Sequence, residues 1–217
     1  MAILFRFLLL FLLPFPFLGQ GSLRFEEEIR SFESEDGGSP LQGAILFTGS
    51  SSIRMWKDLP QRFPTLKVLN RGFGGSQMED ILFYYDRVIK PYRPSKVFIY
   101  EGDNDLHANK SAEEILNKAD QILQKIREDF PEVLEVYFIS AKPSLARWNL
   151  KDKYLKFNHD LKSWTEKKNH VYFIDVWNPM LDDGGEVQKD LFLSDGLHMN
   201  KKGYDIWYVS ILSFVKK

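Results

Sequence analysis

Hydrophobic and polar positions along this chain alternate between two rhythms. Short apolar or β-branched runs occur at Ile45–Thr48, Lys67–Asn70, Lys96–Tyr100, Leu134–Ser140 and Val171–Asp175, each of a length and character that suits a buried strand. Between them, apolar residues recur at helical spacing. Met78, Ile81, Leu82, Tyr85, Val88 and Ile89 predict one helix closed by Pro91. Ser111 and Glu114 have capping-box spacing, and Ile115, Ala119, Ile122, Leu123 and Ile126 form the apolar face of the helix they start. Leu150, Tyr154, Leu155, Leu161 and Trp164 mark another helix, and Tyr204, Trp207, Tyr208, Ile211 and Val215 mark a last one from about Lys201. Ser22 to Leu41 is charged and reads as a short amphipathic helix running into a Gly37-Gly38-Ser39-Pro40 loop. Five strands alternating with helices imply a parallel sheet covered on both faces, because a parallel crossover needs a dozen or more residues. No repeat or linker divides the chain, so residues 22–217 read as a single domain.

Composition narrows the function classes. Of 217 residues, 44% are hydrophobic and 15% aromatic, enough for a substantial core. The 29 basic residues nearly balance 30 acidic ones, so no long-range field draws the chain to nucleic acid. The absence of cysteine excludes a thiol nucleophile, a disulfide, a lipoprotein anchor and cysteine-based zinc sites. Residues 1–21 read as a signal peptide: Arg6 precedes an apolar run from Phe7 to Phe17, and Gly19-Gln20-Gly21 has the small-x-small form of a cleavage site. The run is too short, and too interrupted by Pro14 and Pro16, for an ordinary spanning helix of about 20 apolar residues. The expectation is an exported protein without a stable membrane span after cleavage; an uncleaved N-terminal anchor is the alternative.

Chemistry-bearing residues gather where the predicted strands end. The first strand breaks at Gly49 into Ser50-Ser51-Ser52, which places a hydroxyl at the carboxyl edge of the sheet, where open α/β sheets carry their sites. The second is followed by Gly72-Phe73-Gly74-Gly75-Ser76, the third by Glu101-Gly102-Asp103-Asn104-Asp105, and the last helix is preceded by Asp195-Gly196-Leu197-His198. A serine hydroxyl needs a base, the base needs an acceptor to hold its tautomer, and the tetrahedral intermediate needs hydrogen-bond donors. Ser51, His198 and Asp195 can fill the first three roles. The Ser51 and Gly75 amides and the Asn104 side chain can supply the donors. Taken singly, each piece has a plainer reading: a polar loop, a helix-flanking histidine, a glycine turn, an Asx turn. His107, His159 and His170 are left with that plainer role. The acidic loops lack the regular spacing of an EF-hand, and no cofactor and no metal are expected.

Four such motifs in this order resemble the SGNH, or GDSL-like, family of serine esterases and lipases. Gly49-Ser50-Ser51 with Trp56 is similar to the family's first block, Asn70-x-Gly72-x-Gly74-Gly75 to its second, Gly102-x-Asn104-Asp105 to its third and Asp195-x-x-His198 to its last. The resemblance implies a flavodoxin-like three-layer α/β/α sandwich with a five-stranded parallel sheet. It also implies Ser51 as nucleophile, Asp195 and His198 as its partners, and Gly75 and Asn104 as oxyanion donors. Ser50 stands where the family commonly has an acidic residue, which leaves Ser50 and Ser52 as fallback nucleophiles. The implied activity is hydrolysis of carboxylic esters, on acylated carbohydrates or lipids, through an acyl-enzyme. A non-catalytic glycan- or ligand-binding module using the same cleft is the alternative, and an FMN binder is disfavoured for want of a phosphate-cradling first loop. Arg147 and Trp148 are read as pocket-rim residues or as surface loop.

Overall fold

A computed structural model describes residues 22–130 and 134–216. The predicted signal segment lies outside the described residues. Five strands form one all-parallel sheet in the order β2-β1-β3-β4-β5, with β1 at Ile45–Gly49, β2 at Val68–Gly72, β3 at Lys96–Tyr100, β4 at Glu135–Ile139 and β5 at Val171–Ile174. All five predicted strands are present, with ends shifted by one or two residues.

Because successive side chains on a strand point to opposite faces, β3 feeds two cores. Val97 and Ile99 join Leu46, Val136 and Phe138 on one side. Phe98 and Tyr100 join Ile45, Phe47, Tyr137 and Ile139 on the other. The first core is covered by α1 (Glu26–Asp36), α3 (Met78–Phe83), α4 (Tyr85–Val88), α6 (Ala112–Asp129) and α7 (Lys151–Thr165), the second by α2 (Ser51–Arg54) and α8 (Lys201–Lys216). On the second face the register Phe47↔Phe98↔Tyr137↔Tyr172 sets four aromatic rings side by side. Their centroids are 4.4, 4.5 and 5.0 Å apart, close to the strand spacing itself. In α6 the expected capping box forms, with the Ser111 side chain accepting from the Glu114 amide.

Two expectations are corrected. The single helix predicted over Met78–Ile89 is broken at Tyr84 (φ −90°, ψ 9°) into α3 and α4; its spacing kept the apolar face continuous, so the periodicity could not reveal the break. Asp103-Asn104-Asp105, expected as loop, opens a short helix, α5 (Asp103–His107). Among the described residues no helix is long and apolar enough to cross a membrane.

Candidate active site

With this strand order the switch point lies between β1 and β3, where the connections leave in opposite directions and open a crevice at the carboxyl edge. Ser51 is delivered there by a tight exit from β1. Gly49 has φ +134°, and a Cβ at that position would lie 2.1 Å from the Tyr100 carbonyl oxygen of β3, so only glycine lets the strands run this close. The Ser50 amide then donates to the same carbonyl, and Ser51 becomes the first residue of α2. Asn70 ties that helix to β2 by donating to the Ile53 and Trp56 carbonyls and accepting from the Gly72 amide.

The Asp195–His198 loop comes from the far end of the chain. Phe192 and Met199 bridge at its base, the Leu193 amide donates to the His198 carbonyl, and the Ala146 amide donates to the Gly196 carbonyl. Within it, Asp195 Oδ1 accepts from the Leu197 and His198 amides, both at 2.9 Å. Asp195 Oδ2 lies 2.7 Å from His198 Nδ1, and His198 Nε2 lies 3.0 Å from Ser51 Oγ. The hydrogen bond from His198 and the two amides outweigh modest desolvation and hold the Asp195 carboxyl down at about 2. An ionised Asp195 assigns the ring proton to Nδ1, which leaves the Nε2 lone pair facing the serine hydroxyl. Of the three adjacent serines, Ser51 is the one brought to the histidine; Ser50 and Ser52 are buried.

Across the crevice lies the loop after β2. Asn104 Nδ2 donates to the Ser76 carbonyl at 2.9 Å, and Asn104 Oδ1 accepts from Arg147 Nη2 at 3.0 Å. With its oxygen and one amide proton engaged, Asn104 has a second amide proton to offer. Gly75 is exposed, sits at φ +79° and has open space around it. Among the described residues, neither its amide nor that of Ser51 meets an acceptor, a notable condition in a loop whose other polar groups are mostly paired. Ser76 Oγ lies 3.1 Å from the Phe73 carbonyl and 2.5 Å from Glu101 Oε1. A hydroxyl has one proton for these two oxygens. Burial, reinforced by nearby Asp105, pushes the Glu101 pKa well up, and the neutral acid can supply the second proton itself.

Beneath Asn104 is a group of residues whose joint arrangement the sequence did not reveal. Asp103 is buried and meets Arg147 Nη1, the Tyr154 hydroxyl, the Tyr100 hydroxyl at 3.0 Å and Lys142 Nζ at 3.5 Å. Burial alone would raise its pKa, but the Lys142 and Arg147 cations and the donated hydrogen bonds win and hold it at about 2. Lys142 also donates to the Leu197 carbonyl at 2.8 Å, joining this group to the histidine loop. Its own pKa is lowered by burial, against the pull of Asp103. Arg147 is thus the link between Asp103 and Asn104. Trp148 instead stacks on Trp177, 5.8 Å between centroids. Among the described residues, His107, His159 and His170 share no hydrogen bond with Ser51, Asp195 or His198.

A profile of the GDSL-like lipase/acylhydrolase family matches residues 37–206. The chain belongs to that family. It is a carboxylic ester hydrolase of the GDSL type, as its motifs led one to expect, and its fold is shared by solved structures of low identity. A Streptococcus pneumonia protein described as a platelet activating factor superposes with a TM-score of 0.79 at 24% identity, over 88% of this chain and 92% of that one. A GDSL-like lipase from Bacteroides thetaiotaomicron gives 0.73 at 19%, over 87% and 97%. An acetylxylan esterase from Geobacillus stearothermophilus gives 0.66 at 13%, over 81% and 95%. No curated protein matches the sequence.

Proposed function

We propose that this GDSL-family hydrolase is an exported serine esterase that removes short acyl groups from carbohydrates through an acyl-enzyme on Ser51. The observation that carries the reading is the unbroken line of contacts from Ser51 Oγ to His198 Nε2 at 3.0 Å and from His198 Nδ1 to Asp195 at 2.7 Å. Ser51 Oγ attacks the ester carbonyl while its proton passes to His198 Nε2. Asp195 stays ionised and holds the resulting imidazolium in place. The oxyanion is met by the amides of Ser51 and Gly75 and by the second Asn104 amide proton. Collapse expels the alcohol, which takes the proton from His198; a water activated by the same nitrogen then releases the acid and restores the serine. Export rests on the apolar N-terminal run and, for the substrate, the acetylxylan esterase of like fold supports a short acyl group on a sugar.

A second reading, lipid esters, is favoured by one observation: two leucines, Leu145 and Leu193, are exposed next to the histidine loop. A series of p-nitrophenyl esters from acetate to laurate separates the two. The first reading expects kcat/KM to fall steeply beyond butyrate, and a maximum at eight carbons or more establishes the second. Labelling by a fluorophosphonate, lost in Ser51→Ala with the fold intact, tests the nucleophile. Undiminished labelling of that variant overturns the assignment.

A further inference from the structure

The segment ahead of the family-matched residues 37–206 reaches the proposed oxyanion loop directly. Glu28 Oε2 accepts from the Gly74 amide at 2.7 Å, and Arg24 Nη2 donates to the Gly75 carbonyl at 3.1 Å and to Asp80 at 3.0 Å. The other Glu28 oxygen is held by Arg54 Nη1 at 2.8 Å, on the helix that begins with Ser51. Next to these residues Phe25 and Ile29 are buried, and the Phe25 ring meets Phe73 edge-on at 5.0 Å, so the segment is docked by packing as well as by charge.

Consider the peptide groups in turn. The unit joining Phe73 to Gly74 is held at its carbonyl by Ser76 Oγ and at its N–H by Glu28. The unit joining Gly75 to Ser76 is held at its carbonyl by Arg24, and the Ser76 carbonyl by Asn104. The unit between them carries the Gly75 N–H. It has no partner among the described residues and no side chain to restrain it. Two consecutive glycines leave four wide dihedral ranges, so the direction of that N–H is set by the units on either side. Hydrogen bonds to charged groups are the stronger kind available for the task.

We propose that Arg24 and Glu28 are positioning residues that aim the Gly75 amide at the oxyanion, making the N-terminal segment a working part of this active site. The proposal rests on the serine-esterase reading above. A positioning role predicts a loss confined to the transition state, because the ground-state ester carbonyl gains little from the donor that the oxyanion needs. In the full chain, Arg24→Ala and Glu28→Ala should each lower kcat on p-nitrophenyl acetate by about 10-fold, below the about 10²–10³ seen when an oxyanion donor is removed outright. KM should stay within about twofold, and affinity for a trifluoromethyl ketone, whose adduct carries the oxyanion, should fall by the same factor as kcat. Arg24→Lys keeps a cationic donor and Glu28→Gln keeps an acceptor, so both should recover most of the rate. Arg30→Ala, on the same helix as Glu28 and paired with Glu26 at the surface, should behave as wild type. Folded Arg24→Ala and Glu28→Ala proteins with wild-type kcat and ketone affinity overturn the proposal, as does a rise in KM alone. If Glu28→Ala unfolds, Arg24→Ala decides, since Arg24 is half-exposed and its loss opens no cavity. A wild-type protein that neither turns over ester nor takes the fluorophosphonate fails the esterase reading instead, which separates the two failures.

Discussion

Asp103 and Asp195 both have carboxyls held at about 2, and they reach that value by opposite routes. The Asp195 side chain is 47% exposed and owes its value to three short hydrogen bonds within one tight loop. The Asp103 side chain is 6% exposed and would be raised by burial were it not for Lys142, Arg147 and Tyr154 around it. The first is a small, local device at the solvent's edge, built to hold one imidazole. The second is a buried ionic knot that gathers β3, the segment after β4 and α7, and through Lys142 and Arg147 touches both the histidine loop and Asn104. Equal ionisation thus goes with the hold on an imidazole in one place and with the joining of distant segments in the other.

The comparison is sharpest if each carboxylate is made neutral. Asp195→Asn should cost up to about 10⁴ in kcat by mis-setting the histidine tautomer, with little change in melting temperature. Asp103→Asn should do the reverse first: two buried cations lose their counter-ion, and stability should drop by about 3–5 kcal/mol in urea titrations. A folded, fully stable Asp103→Asn, or an Asp195→Asn of wild-type rate, would collapse the distinction.

Next in size is Asn104→Ala, which should lower kcat by about 10²–10³ through loss of the proposed oxyanion donor. Arg147→Lys should be milder, about 10-fold in kcat: a point charge can still answer Asp103 but cannot also hold the Asn104 oxygen as a planar fork does. Equal rates for Arg147→Lys and wild type would detach the knot from catalysis.

The smallest effect is in the pH dependence of stability. Asp103 has a depressed pKa, so its contribution is fully present above the ordinary value of 3.8 and is lost as pH falls towards about 2. Buried Asp105 is raised to about 6, chiefly by desolvation. Its contribution has the opposite sign, greatest below 3.8 and lost as pH rises through 6. Melting curves should therefore show Asp103→Asn flattening the acid limb below pH 4, and Asp105→Asn flattening the decline between pH 4 and 6. Unchanged limbs would place the titrating groups elsewhere.

The legible part of the site was the part written in short spacings. Asp195 and His198 lie three residues apart, so their pairing shows in the sequence, and Gly49 before Ser51 signals the tight exit from a strand. Gly75 and Asn104 came from the ordered motifs as a set. Arg147 was noticed but its task was not, because its partners stand 43 and 44 positions away. Arg24 and Glu28 gave no sign, as charged residues on an amphipathic helix ordinarily face water, and their contacts cross 51 and 46 positions.

By itself, then, the sequence determined the strands, most of the helices, the parallel sheet they imply and the candidate residues for ester chemistry. These follow from periods of two and 3.6 residues and from motifs a few residues long, which are properties of the local chain. The tertiary structure alone decided that α3 and α4 part at Tyr84, which of three serines meets His198, and that a buried knot at Asp103 joins the two halves of the crevice. It also decided that the N-terminal segment leans on the glycine loop. Each of these depends on side chains far apart in the chain meeting in a low-dielectric interior, where pairing is enforced by the cost of leaving a charge or a polar group alone, and local spacing carries no record of that.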